Sequence, residues 1–219
     1  MLIPCIQLYY ILMVVFREMP YSEKLEGILE YKKLVEGFAP QLVNSELGGE
    51  KVTELYSLWK KESEPIPTDA SDQDKYEVAY RNFLQNWITA NRFMTENQGD
   101  DGNKKFMNVA IKAWKQKHAG SANRLRLMGG VSSKAAFRAL ADQLAYHLQI
   151  FSPFSVSELN ENRLVLNLAQ CKIMEVRKRN DFCLMACQNI IPVWLEEQFN
   201  VKMDLNPQGA SCTVNITPF

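Results

Sequence analysis

Four of the five cysteines in this 219-residue chain lie in its last quarter, and their thiols are the groups here best suited to chemistry. The spacing C-x11-C-x3-C-x24-C matches no common zinc or disulfide template. Because no secretory leader is recognisable, we expect a cytoplasmic, reduced protein, in which clustered cysteines indicate a metal site or reactive thiols before disulfides. No Ser-His-Asp or glycine-rich phosphate motif competes with these four residues, which are Cys171, Cys183, Cys187 and Cys212.

Cys187 is the predicted catalytic residue. Pro192 is tolerated in the first turn of a helix but disfavoured in its interior, so a helix capped by Asn189 is expected, with Cys187 just before it. The partial positive charge at a helix N-terminus stabilises a thiolate and lowers the pKa of a nearby cysteine. Free cysteines also pack as small hydrophobic residues, and this alternative is at least as good for Cys171 and Cys212.

A metal centre is the second interpretation of the same residues. Three or four converging ligands from Cys183, Cys187, Cys212 and the carboxylate of Asp204 would form a tetrahedral zinc site. Cys183 and Cys187 would supply ligands at positions i and i+4 if their segment is helical. The cofactor stays open, with zinc or iron as the candidates.

The first two thirds of the chain, residues 21–151, have helical periodicity. Ser22 can cap a helix that should end before Pro40, Val52 to Lys61 predict a second helix, and Asp74 to Glu96 a third. Another helix should begin at Asn103, with a turn around Gly99 to Gly102 before it, and a last one after Ser132 or Ser133. His118, near a predicted helix end, is interpreted as a partner of the helix dipole.

The last third, residues 152–219, changes to the alternating pattern of strands. Strands are expected over Phe154 to Leu159, Arg163 to Met174, Val201 to Leu205 and Cys212 to Thr217, with one crossing helix that ends near Phe199. The predicted fold class is therefore α+β, a helical N-terminal layer packed on a C-terminal antiparallel sheet.

Strand parity predicts which side chains reach the space between sheet and helices. Cys212 alternates with Val214 and Ile216 and should point inward, whereas Cys171 shares the face of Asn167, opposite the neighbouring leucines, unless a bulge changes the register. His147 lies at the edge of an apolar helical stripe that could face a ligand. The predicted ligand-binding set is Cys171, Asn167, His147 and Trp87.

Charge and hydropathy limit the partners. Twenty-five basic and twenty-five acidic residues balance, and the longest basic cluster is only Arg177 to Arg179, so no nucleic acid partner is expected. The apolar segment Leu2 to Phe16 is shorter than the ~20 residues of a membrane span, and no membrane partner is expected. Residues 1–18 are interpreted as an extension before a natural start at Met19, and residues 19–219 as a single domain. The sequence does not predict an oligomeric state.

A set of scattered positions forms a pattern known from other proteins: Asn86-Trp87-Ile88, Gly99, Ala113-Trp114, Arg124-Leu125, Cys171, Arg177-Lys178-Arg179, Phe182-Cys183 and Cys212. In these positions the chain resembles a family of uncharacterised cytosolic proteins similar to the L-2-amino-thiazoline-4-carboxylate hydrolases. The similarity covers roughly residues 76–219 and implies site cysteines at Cys171, Cys187 (or Cys183) and Cys212.

The segment Gly209-Ala210-Ser211-Cys212 leads into the last predicted strand. In this segment the chain resembles the vinyl reductase domain, whose structural zinc is held by cysteines and a carboxylate, but the second cysteine expected a few residues upstream is missing. Both resemblances imply a pocket for a small-molecule ligand.

The sequence therefore predicts a small-molecule pocket protein that is hydrolase-like toward a small heterocyclic or amide substrate. The alternative is a non-enzymatic module that binds or senses a metal or another ligand.

Overall fold

The α+β fold predicted from the sequence is confirmed. A computed structural model describes residues 17–127, 134–176 and 183–219. Helices form the N-terminal layer, and the C-terminal part contains a four-stranded antiparallel sheet in the order β1-β2-β4-β3. The strands are β1 (Ser155–Leu159), β2 (Leu164–Leu168), β3 (Val201–Gln208) and β4 (Ser211–Pro218).

Helix α1 (Tyr21–Leu47) continues through Pro40, so the prediction that it ends before this proline is wrong. Proline removes one backbone hydrogen bond and crowds the preceding turn, at a cost of about 3 kcal/mol. Burial of the next turn offsets this cost, because Leu42 and Val43 are both in the core. Helix α2 (Gly49–Glu62) follows immediately after Gly48.

Helix α3 (Asp72–Leu127) contains two arms that reverse direction at Gly99. This glycine has φ +62° and ψ −145°, a backbone conformation essentially restricted to glycine. The reversal places Asn91 Nδ2 2.8 Å from Asn103 Oδ1, which a straight helix would hold far apart. Gly102 permits the close return, since a Cβ there would lie 2.1 Å from the carbonyl oxygen of Met94.

Two buried tyrosines of α3 fix the chain where it passes from helices to sheet. Helix α4 (Lys134–Leu148) ends just before this junction. Tyr76 donates its hydroxyl hydrogen to the Ile150 carbonyl at 2.8 Å, and Tyr80 donates to the Phe151 carbonyl at 2.6 Å. Residues 150 and 151 are thereby held against the helical layer before β1 begins.

Strand β2 ends at Leu168, six residues before the predicted end at Met174. A short helix, α5 (Lys172–Val176), follows instead. Between them the backbone N–H of Cys171 donates to the Ala210 carbonyl at 2.7 Å, which ties this bend to the β3–β4 turn. Cys171 therefore does not obey strand parity.

The segment Cys183–Ile190 is a π-helix that runs directly into α6 (Ile191–Phe199). The prediction that the helix begins at Asn189 is therefore wrong, although its predicted end near Phe199 is confirmed. Pro192 lies in the first turn of α6, where the missing N–H would lack an α-helical partner in any case. The wider π turn ends next to this proline.

One connected apolar core includes residues of the helical layer, of α6 and of the inner face of the sheet. Within the described ranges, every helix is too short or too polar to cross a membrane. The predictions made for Leu2 to Phe16, Ser132, Ser133 and Arg177 to Arg179 lie outside the described residues.

Candidate ligand cavity and its thiols

A cavity of about 270 Å³ separates the inner face of the sheet from the helices. Side chains from every strand but β1 form one wall, and α3, α6 and the segment around Phe151 form the other. Its polar groups are few: Ser152, Gln188 and Ser211 besides the thiols. Its main apolar residues are Trp114, Leu148, Phe151, Leu166, Leu168, Ile191, Met203, Leu205 and Val214.

All four C-terminal cysteines line this cavity as thiols, and we call it the thiol cavity. Cys212 lies on β4 directly opposite Leu168 of β2, on the inward face as strand parity predicts. Cys171 reaches the same cavity from the bend after β2, because the strand has ended before parity would turn its side chain away. Cys183 and Cys187 approach from the π-helix on the opposite wall.

Burial determines the acidity of the two sheet-side thiols. Cys171 and Cys212 are both buried. Transfer of a thiolate out of water is unfavourable, so burial raises the pKa of Cys212 to about 11 and also raises the pKa of Cys171. These two residues are therefore protonated at neutral pH.

Cys183 and Cys187 form a hydrogen-bonded thiol pair one helical turn apart. The hydrogen bond from the Cys187 thiol stabilises the Cys183 thiolate and lowers the pKa of Cys183 to about 7. The same bond, together with burial, raises the pKa of Cys187 well above its usual range. Cys183 is therefore the more nucleophilic of the two at neutral pH.

The helix start on which the activation of Cys187 was predicted is wrong, and the role of Cys187 as the activated thiol stays a prediction. Its basis was a helix N-terminus just after Cys187, but this residue lies inside a π-helix that begins four residues earlier, at Cys183. Cys183 and Cys187 instead occupy positions i and i+4 of this helix, a spacing that places both sulfurs on one helical face. Cys187 is the hydrogen-bond partner of Cys183 in this pair.

The predicted metal centre is not formed by the residues proposed for it. In the described part of the chain, no group of three or more histidine, cysteine, aspartate or glutamate side chains is arranged to hold a metal ion. Asp204 is exposed on β3 and pairs with Lys202 at 3.0 Å, on the face opposite Met203 and the cavity. Strand parity therefore removes Asp204 from the set.

Three of the predicted ligand-binding residues also lie elsewhere. Asn167 is on the outer face of β2, where its Oδ1 accepts a hydrogen bond from Thr213 at 3.3 Å. Trp87 is buried in the helical layer, with its ring 5.3 Å from that of Phe106. His147 borders a different cavity, so Cys171 alone of the predicted set lines the thiol cavity.

The second cavity, of about 350 Å³, lies between α1, α3, α4 and α6 and has a more polar lining. Its central contact is the hydrogen bond between the Tyr31 hydroxyl and His118 Nε2, 3.0 Å long. Two of its acidic residues are in ion pairs: Glu30 pairs with Lys117 at 2.5 Å, and Glu23 pairs with Arg17 at 3.1 Å. The two cavities share the residues Trp114, Leu148, Phe151 and Ile191.

Several residues of the thiol cavity were missed by sequence reasoning. Met203 and Leu205 alternate with charged or polar neighbours in β3, so strand parity could have placed them on the inner face. Ser152 and Gln188 have no such signal. They line the cavity because of the helix-to-sheet junction and the π-helix, which no local pattern specifies.

Comparisons with known proteins add little to this geometry. No family model and no curated protein matches the chain. Among solved structures, an Fe(II) unliganded H-NOX protein mutant from K. algicida aligns with 84% of this chain and 94% of its own, at 11% identity and a TM-score of 0.35. A match at that TM-score assigns neither a fold nor a ligand to this chain.

Proposed function

We propose that this protein binds a small, mainly apolar molecule in the thiol cavity. The observation that carries this proposal is the cavity of about 270 Å³, which is lined by apolar side chains, four thiols and few other polar groups. Ligand pockets typically combine apolar walls with a small number of polar groups that orient the ligand. A reducing compartment, in agreement with the predicted cytoplasmic location, would keep the thiols available.

Burial of apolar surface would supply most of the affinity. Each Å² of apolar ligand surface removed from water contributes about 25 cal/mol, so a ligand the size of two fused rings gains several kcal/mol before its entropic costs. A thiol is a weak hydrogen-bond donor and acceptor. The cavity should therefore favour neutral ligands over charged ones of equal size.

Hydrolase-like chemistry on a small heterocyclic or amide substrate is the second candidate. The Cys183–Cys187 pair favours it, because a hydrogen-bonded thiolate is a competent nucleophile at neutral pH. Cys183 then takes the role first predicted for Cys187. The resemblance to thiazoline carboxylate hydrolases suggests the substrate for this test, and Cys183→Ser should abolish turnover without abolishing ligand binding.

The binding proposal is tested with phenylnaphthylamine, a neutral dye whose emission rises in apolar surroundings. The wild-type protein should bind one dye, and Val214→Phe, which fills the cavity from β4, should weaken binding at least tenfold. Thr217→Phe is the matched control, because it adds the same ring on the opposite face of the same strand. Equal binding by both variants, or none by the wild type, would contradict the proposal.

A further inference from the structure

Two of the four cavity thiols differ from the others because they are paired. The Cys187 thiol hydrogen-bonds the sulfur of Cys183, and both sulfurs border the same apolar space as Cys171 and Cys212. The thiol of Cys212 is directed instead to the Thr213 carbonyl, 3.7 Å away. The cavity thus contains one nucleophilic sulfur with a proton donor beside it.

This arrangement suits a particular reaction of apolar molecules. A thiolate is a soft nucleophile that adds readily to carbon–carbon double bonds conjugated to a carbonyl group. The addition also needs a proton for the carbon next to the carbonyl. A weak acid close to the thiolate supplies that proton without quenching the nucleophile, which a strong acid would do.

We propose that the thiol cavity captures neutral α,β-unsaturated carbonyl compounds, with Cys183 as the nucleophile and Cys187 as the proton donor. This inference rests on the proposed function, since the electrophile must first bind in the cavity. It narrows the ligand from any small apolar molecule to a soft electrophile with an activated double bond.

The steps balance without an oxidant or a reductant. The Cys183 thiolate forms a sulfur–carbon bond at the β-carbon, and the π-electron pair moves to the carbonyl as an enolate. The thiol of Cys187 then gives its proton to the α-carbon, and the resulting Cys187 thiolate takes a proton from water. The product is a thioether on Cys183 with a saturated carbonyl compound attached.

Alternative groups in the cavity do not fit the donor role as well. Among the described lining residues there is no histidine, lysine or carboxylate, and the remaining hydroxyls, Ser152 and Ser211, lie in other segments. The Ser152 hydroxyl donates to the Pro153 carbonyl at 3.4 Å and hydrogen-bonds the thiol of Cys171. Cys187 is the donor that the structure places in contact with Cys183.

The test compares N-ethylmaleimide with maleimidoacetate, which carries the same reactive ring but a charged side group. Rates at Cys183 are followed by peptide mass spectrometry, with mercaptoethanol as the reference for intrinsic reactivity. For each thiol, the rate with N-ethylmaleimide is divided by the rate with maleimidoacetate. We expect this ratio to be at least tenfold higher for Cys183 than for mercaptoethanol. Equal preference in protein and reference would overturn the proposal.

The role of Cys187 is tested in Cys187→Ala, with Cys187→Ser as the matched control. Loss of the donor should slow the modification of Cys183 about tenfold at pH 7 and shift its pH dependence upward, because the thiolate loses its hydrogen bond. Cys187→Ser keeps a hydroxyl hydrogen-bond donor at the same position and should retain most of the rate that Cys187→Ala loses. Equal rates in both variants would overturn the donor assignment.

Dye binding on the same samples separates the two possible failures. If the protein binds phenylnaphthylamine but shows no selective reaction at Cys183, the proposed ligand binding is supported and the capture of electrophiles is contradicted. A protein that does not bind the dye loses both. If Cys187→Ala does not fold, the reagent preference of the wild-type protein still decides the question.

Discussion

The ring of His118 is held neutral by its surroundings. Burial against aromatic neighbours is the main cause, the charge of Lys117 adds to it, and together they lower the pKa of His118 to about 4. A histidine with a lowered folded-state pKa destabilises the folded protein in acid, because the unfolded chain binds a proton that the folded chain does not. Its effect is absent above about pH 7 and grows as the pH falls from about 6.5 toward 4.

We predict that His118→Gln loses less stability in acid than the wild type. Between pH 7 and pH 5 the wild type should lose about 1–2 kcal/mol more of its unfolding free energy than the variant, which has no titrating ring. Urea unfolding at the two pH values measures this difference.

His147 requires a separate control, because burial of part of its ring also lowers its pKa. His147→Gln, measured in the same way, shows how much of the acid sensitivity belongs to that residue. An identical pH dependence in wild type and His118→Gln would show that His118 titrates normally.

The same residue-level physics explains what the sequence could and could not predict about the thiols. The crowding of cysteines after residue 170 correctly pointed to the segment that lines the cavity, and strand parity correctly turned Cys212 inward. The choice between Cys183 and Cys187 depended on where a helix begins and on which thiol donates to the other. The spacing of the cysteines in the sequence determines neither the start of the helix nor the direction of the hydrogen bond.

The reversal within α3 depends on a single glycine conformation. Gly99 has φ +62°, and apart from its own neighbouring backbone nothing lies within 4 Å of the position a Cβ would take. A substitution there is therefore opposed by the backbone alone and not by a clash. Gly37, in α1, has equally open space around it but an ordinary helical backbone.

We predict that Gly99→Ala destabilises the protein by about 1–3 kcal/mol, the usual cost of a strained backbone conformation. Gly37→Ala should instead stabilise it by roughly 0.5–1 kcal/mol, because alanine is the better helix former. Thermal and urea unfolding of the two variants check both signs. A stabilising Gly99→Ala would mean that the arms of α3 do not reverse at this residue.

The spacing of apolar residues predicts some of the helix and strand boundaries but not others. The helices around Asp74 to Glu96 and after Asn103, the strand β1 and the end of α6 were predictable, because their apolar residues repeat with the period of the element. The passage of α1 through Pro40 and the end of β2 at Leu168 were not. Helix α1 continues through Pro40 because its next turn is buried in the core. Strand β2 ends early because the backbone N–H of Cys171 bonds to a distant turn instead of a neighbouring strand.

At the level of the whole molecule, the cavity exists because a sheet and a helical layer share one core without filling the space between them. The wall residues Trp114, Phe151 and Ile191 belong to different segments, so the cavity is a product of the assembled fold. No sequence pattern reports such a space. The function proposed here accordingly depends on the tertiary arrangement more than on any motif.

The central claim is that the four cysteines share one ligand-binding space, the thiol cavity. The most direct test is to measure how fast each cysteine reacts with methyl methanethiosulfonate, with and without saturating phenylnaphthylamine. Peptide mass spectrometry follows Cys171, Cys183, Cys187 and Cys212 separately, and the control is Val214→Phe, which should bind the dye at least tenfold more weakly. We predict that Cys183 reacts first and that the dye slows all four thiols together in the wild type but not in the variant. Unchanged rates in the presence of bound dye, or protection of only some of the four, would contradict a shared ligand cavity.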